Sequence, residues 1–139
     1  MAIRKAVVTA FRSTLRKADP APYILSFGKG GGVPDVSMNS LINMHVIVNV
    51  TEVVAAGKIR PAIVGFDPIT GEEYPILNDI EIIKTVGSVV YRIGKDIDPV
   101  PGLAAIDMIP PNVKIKVGHI NVDPVAYGVT VIGEFLTSQ

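Results

Sequence analysis

Valine and isoleucine outnumber leucine by more than six to one in this chain, 20 Val and 18 Ile against 6 Leu. Side chains branched at Cβ lose χ1 freedom against the preceding turn of a helix and pack well on a pleated surface. The sequence therefore predicts a β protein. Thirteen Gly and eleven Pro break the chain into short stretches and supply the turns that many strands require. With 139 residues the chain is long enough for one sheet-on-sheet core without disulfide or metal staples.

Alternation locates the strands. In "LINMHVIVNVT" the residues Ile42, Met44, Val46, Val48 and Val50 share one face, while Asn43, His45, Asn49 and Thr51 fall largely on the other, the pattern of a half-buried strand. "KIRPAIVGFDPITGEEYPIL" predicts a hairpin around Asp67 to Gly71, where Pro68 presets the turn and Gly71 can take positive φ. Ile80 to Gly94 reads as one bent strand or two short ones with Gly87 as a bulge, and Lys95 to Pro111, with four prolines, as a long loop crossing between sheets. A closing hairpin is expected from "PPNVKIKVGHINVDPVAYGVTVIGEF", whose second strand carries almost no charge. Seven or eight strands in all suit an antiparallel β-sandwich or jelly roll.

Charge divides the chain. Residues 1–18 contain Arg4, Lys5, Arg12, Arg16 and Lys17 without an acid, whereas the remaining residues hold an excess of Asp and Glu that brings the total to zero. On a helical wheel Ile3, Val7, Phe11 and Leu15 lie on one arc with most of the cations opposite, so this segment reads either as a basic amphipathic helix or as an edge strand leading into an arm. Its Arg-rich, acid-free start also resembles a mitochondrial presequence. "GKGGGVPD", Gly28 to Asp35, follows as a glycine hinge, since it lacks the Ser or Thr of a phosphate loop after Lys29. The expected organisation is an N-terminal basic arm or short helix with a Gly-rich hinge over residues 1–35, then a β-sandwich body over 36–139.

Catalytic and metal chemistry find little support. Cysteine is absent, which removes disulfides and thiolate ligands. His45 and His119 stand far apart in sequence and form no HxH or HxxxH pair. No serine, Ser88 included, lies in a GxSxG elbow. Asp96 and Asp98 lack the glycine and closing glutamate of an EF-hand, and the neighbours Glu72 and Glu73 point to opposite faces of a strand. The Asn49 to Thr51 sequon has no signal peptide before it. The longest uncharged run, Val36 to Thr51, contains Asn39, Asn43, His45 and Asn49 and is no membrane span. No enzyme activity, cofactor or metal is expected. Contact with an acidic surface, or non-specific contact with nucleic acid, through Arg4, Lys5, Arg12, Arg16 and Lys17 is, because clustered cations neutralise phosphates without reading bases.

A mean hydropathy of +0.42 is high for a small β protein, and a domain of this size buries only about two-thirds of what its unfolded chain exposes. Apolar side chains are left over for interfaces. In "IDMIPPNVKIKVGHINVDPVAYGVTVIGEF" a Pro110-Pro111 step opens a strand through Val113, Ile115 and Val117 to His119, and Tyr127, Val129 and Val131 return. This pattern resembles the closing strands of small bacteriophage and virus structural proteins. The resemblance implies a coat or head-decoration subunit, located in the virion and assembled in the host cytoplasm, present in many copies and touching copies of itself and other virion proteins. Ile3, Val7, Phe11 and Leu15 are then the expected assembly contacts of the arm. The alternative from a different class is a non-catalytic ligand- or carbohydrate-binding β-module, for which the lack of Trp leaves few stacking platforms.

Overall fold

The computed structural model describes residues 2–16, 23–28, 41–67, 69–107, 109–110 and 112–137. Among these residues nine strands occur in chain order: β1 (Ala2–Arg16), β2 (Tyr23–Gly28), β3 (Leu41–Val53), β4 (Ile59–Phe66), β5 (Glu73–Pro75), β6 (Gly87–Gly94), β7 (Ala104–Ile106), β8 (Asn112–His119) and β9 (Val125–Thr137). They form a five-stranded sheet ordered β1-β9-β3-β6-β7 and a four-stranded sheet ordered β2-β8-β4-β5. The described chain is all-β, with no helix and hence none long and apolar enough to cross a membrane.

One core joins the sheets. Met44, Val46, Val48 and Val50 of β3 and Tyr127, Val129, Val131 and Phe135 of β9 belong to the same buried cluster as Ile59 and Ile63 of β4 and Val113, Ile115 and Val117 of β8. Strand periodicity explains the selection, because every second side chain points inward. The first turn of β3 departs from it: a register shift between Leu41 and Asn43 against β9 buries both residues, and Ile42 is left half-buried. Shifts of this kind bend a strand locally.

The pairings are nested. β1 pairs with β9, β2 with β8, β3 with β6 and β4 with β5, all antiparallel. Two further antiparallel ladders, β3 with β9 and β4 with β8, join these pairs within each sheet. Only β7 breaks the scheme, lying parallel to β6 at the sheet edge.

Several sequence expectations are corrected. The N-terminal segment is not a short helix: Ala2–Arg16 forms edge strand β1, with irregularities between Val7 and Thr9 and between Phe11 and Thr14. Register against a β-branched neighbour outweighs the weak helical arc. The glycine hinge beyond Gly28 lies outside the described residues, as does Lys17. β8 and β9 do not form a hairpin, since β8 lies in the four-stranded sheet and β9 in the five-stranded one. Their connection carries the chain across the core and is latched to the β3–β4 loop by Asn121 Nδ2 donating to the Ala56 carbonyl at 2.6 Å and by Ala56 N donating to Asp123 Oδ2 at 3.1 Å. Of the Ile80 to Gly94 stretch only the second half is a strand, and Gly87, with φ +145°, opens β6 instead of bulging it. The Lys95 to Pro111 crossing does run from one sheet to the other, but it also contains β7.

The turn after Asp67 forms with Gly71 as expected, while Pro68, expected to preset it, lies outside the described residues. Ile69 N donates to Asp67 Oδ1 at 2.8 Å and Gly71 N to the Asp67 carbonyl at 2.7 Å, with Gly71 at φ +76°. β5 returns from it, and Glu73 sits between Lys114 and Lys116, bonded to Lys114 at 3.1 Å and to Lys116 on its other oxygen. These lysines are two apart on β8, so both project from the face away from the core.

Candidate functional site

The outward face of the five-stranded sheet is organised in cross-strand rows. Val7, Ile132, His45 and Arg92 lie opposite one another across β1, β9, β3 and β6, and Lys5, Glu134, Asn43 and Gly94 form the adjacent row. Asn43 Nδ2 donates to Glu134 Oε1 at 3.4 Å. Its Oδ1 is buried without a hydrogen-bond partner among the described residues. A Cβ at Gly94 would fall 1.7 Å from that oxygen, so glycine there leaves room for the amide to lie against the sheet.

Lys5, His45, Asn43, Ile132 and Glu134 line a small cavity of about 250 Å³. Burial, followed by the Arg92 charge, holds the His45 imidazole below its ordinary pKa; Lys5 adds to this and Glu134 opposes it. The lining contains no hydroxyl or thiol among the described residues. The arrangement can bind a proton or a small polar group.

The His45 environment gives a pH dependence. A folded chain that binds a proton at His45 less readily than the unfolded chain loses stability as pH falls from the ordinary imidazole range, about 6.5, toward the depressed value. The melting temperature of the wild type is expected to decline more steeply between pH 7 and 5.5 than that of His45→Gln. Parallel curves from differential scanning calorimetry would remove His45 from this role.

His119 lies in the other sheet, where its Nε2 is 3.2 Å from the Tyr127 hydroxyl. Tyr127 is five residues along β9 from Ile132, the partner of His45, a separation of roughly 16 Å at strand rise. The two histidines are therefore not brought together. No group of three His, Asp or Glu among the described residues could hold a metal ion. Ser88 donates to Asn49 Oδ1 at 3.0 Å, and both side chains are exposed. Asp96 and Asp98 are likewise exposed.

The two lateral margins of the molecule differ. On one side β1 is the edge of its sheet and β2 the edge of the other. Among the expected assembly contacts, Val7 is 56% exposed, while Ile3, Phe11 and Leu15 are placed by register opposite Leu136, Val129 and Ala126. Arg4 and Arg16 lie opposite Phe135 and Val125, Lys5 lies opposite Glu134, and Arg12 falls within the second irregularity. On the other side the sheet ends in β7, short and capped, with Ala104 N donating to the Val100 carbonyl at 2.9 Å.

Three large apolar side chains are exposed within residues 100–106 at this capped side, Val100 at 44%, Leu103 at 44% and Ile106 at 59%, and Val100 and Ile106 line one shallow cavity together. Residues 81–85, β6 and residues 101–103 enclose a second cavity there, of about 340 Å³. Tyr91 forms part of its wall and is only 1% exposed. Burial, with the Glu81 charge second, pushes the Tyr91 hydroxyl up to about 12. Sequence reasoning missed this margin. The available signal was a run of apolar residues without strand or helix period, Val100, Leu103 and Ile106, in a loop flanked by Asp96, Asp98 and Asp107. No known family, curated protein or solved structure matches this chain.

Proposed function

We propose that this chain is a non-catalytic structural subunit that acts by self-association, with a jelly-roll body, as a coat or head-decoration component of a virion assembled in the host cytoplasm. The observation that carries the reading is the exposure of Val100, Leu103 and Ile106 within seven residues around the edge strand β7, because exposed apolar patches mark interfaces. The nested pairings support the jelly roll. With β7 set aside, the orders β1-β9-β3-β6 and β2-β8-β4-β5 are what results when four nested antiparallel pairs roll into two sheets. Jelly rolls serve viral coats, lectins and cupins, and a fold does not choose among functions. The choice of assembly rests on the surface.

The N-terminal segment enters through β1, fifteen residues long, whose outer side pairs with no strand among the described residues and so offers backbone groups to a neighbour. Its cations supply a salt-sensitive attraction to acidic neighbours or to nucleic acid. Copies of itself are the primary partner and other virion proteins the secondary one. Mass by light scattering across protein concentration and salt tests the reading: growth with concentration is expected, and a monomer at every concentration would remove it.

A second reading, a ligand-binding β-module, is favoured by the 340 Å³ cavity, whose mostly apolar wall includes the buried Tyr91 together with the polar residues Glu81, Lys84 and Thr85. Saturable binding of a small molecule or glycan by a monomer, lost in Tyr91→Phe, would favour it over assembly.

A further inference from the structure

A self-associating subunit must say which surface meets which. β1 carries Arg4, Lys5, Arg12 and Arg16 and no acid. Two copies pairing β1 to β1 would put eight like charges on one ribbon, and like charges across a strand pair are destabilising. The irregularities at Val7/Thr9 and Phe11/Thr14 further disturb a continuous ladder, the means by which edge strands resist their own kind. The opposite margin has the other sign. Residues 96–107 contain Asp96, Asp98 and Asp107 without a base, and over 79–107 five carboxylates stand against three bases. The exposed apolar residues Val100, Leu103 and Ile106 lie between these carboxylates in the chain.

Resting on the self-association reading above, we propose that the basic β1 margin of one copy docks on the apolar, carboxylate-flanked 96–107 margin of the next. Every copy then offers one surface of each kind, and the contact is head-to-tail. Such a contact closes into rings or propagates into arrays, unlike a two-fold contact, which stops at two. Apolar burial of Leu103 and Ile106 with Val7 supplies attraction, and the charges set orientation and exclude the β1–β1 alternative.

The test reverses one margin at a time in the full chain. Arg4→Glu/Arg12→Glu alters β1 without disturbing Lys5, whose strand partner is Glu134; Asp96→Lys/Asp98→Lys alters the exposed loop. Each variant alone is expected to associate at least about tenfold more weakly than wild type by sedimentation velocity, after thermal melts confirm folding. An equimolar mixture should regain association as a dimer, because the unaltered acidic 96–107 margin of the first variant meets the unaltered basic β1 of the second, whereas the neutralised β1 and the reversed loop do not attract. Should a reversed β1 misfold, Arg4→Gln/Arg12→Gln gives the same comparison with a smaller loss. If wild type associates but neither reversal weakens it, or mixing fails to restore it, the head-to-tail contact is wrong and self-association stands. If wild type remains monomeric, both readings fall.

Discussion

Phe135→Ala will remove about 3–5 kcal/mol of stability, the usual cost of deleting an aromatic ring from a core that cannot collapse around the void. Phe135 is completely buried, and its position in β9 has a partner on each side, Arg4 of β1 and Leu41 of β3. The loss therefore falls where both neighbouring strands of β9 meet the core. Domains of this kind have about 5–15 kcal/mol in total, so the variant forfeits a large share of what it has. In urea the midpoint should fall by about 2 M for an m-value near 2 kcal/mol/M. Phe135→Leu keeps most of the volume and should cost about 1 kcal/mol. A loss below 1 kcal/mol for the alanine variant would mean that the two sheets do not close around this ring.

Gly102→Ala is the second large effect, expected at about 2–4 kcal/mol from two penalties that add. The residue sits at φ +73°, where an L side chain is strained, and a Cβ there would lie 2.4 Å from the Asp79 carbonyl oxygen. That oxygen belongs to the backbone, so it cannot swing away as the tip of a flexible side chain would. Asn tolerates positive φ better than Ala, so Gly102→Asn separates the terms: recovery of about half the loss assigns it to φ, and no recovery assigns it to the contact. A neutral Gly102→Ala would show that residues 79 and 102 are not held against each other. Because Gly102 is flanked by the loop that presents Val100 and Leu103, a folded variant should also shift the apolar margin and weaken association.

Local chemistry was readable wherever neighbours in sequence were also neighbours in space. Alternation from Met44 to Val50 marked the buried face of β3, and the Asp67 to Gly71 turn was marked by a glycine able to take positive φ, while the bond from Ile69 N to Asp67 Oδ1 was seen only in the structure. The candidate surface was not readable in the same way. Its positive half was visible as five cations without an acid. Its apolar half was not, since Val100, Leu103 and Ile106 are as hydrophobic as any core residue, and only their place outside the sandwich makes them a surface.

From its residues alone the chain was bound to be a β protein: thirty-eight Val and Ile side chains favour pleated backbone, and period-two alternation states which face of each strand is oily. Alternation cannot state which strand lies beside which. β8 and β9 are joined by a short turn and read as a hairpin, yet Val113, Ile115 and Val117 belong to one sheet and Tyr127, Val129 and Val131 to the other. A short turn can set two strands side by side or carry the chain across the roughly 10 Å between packed sheets. Burying both oily faces against each other decided the matter, and that energy exists only once all the strands are assembled.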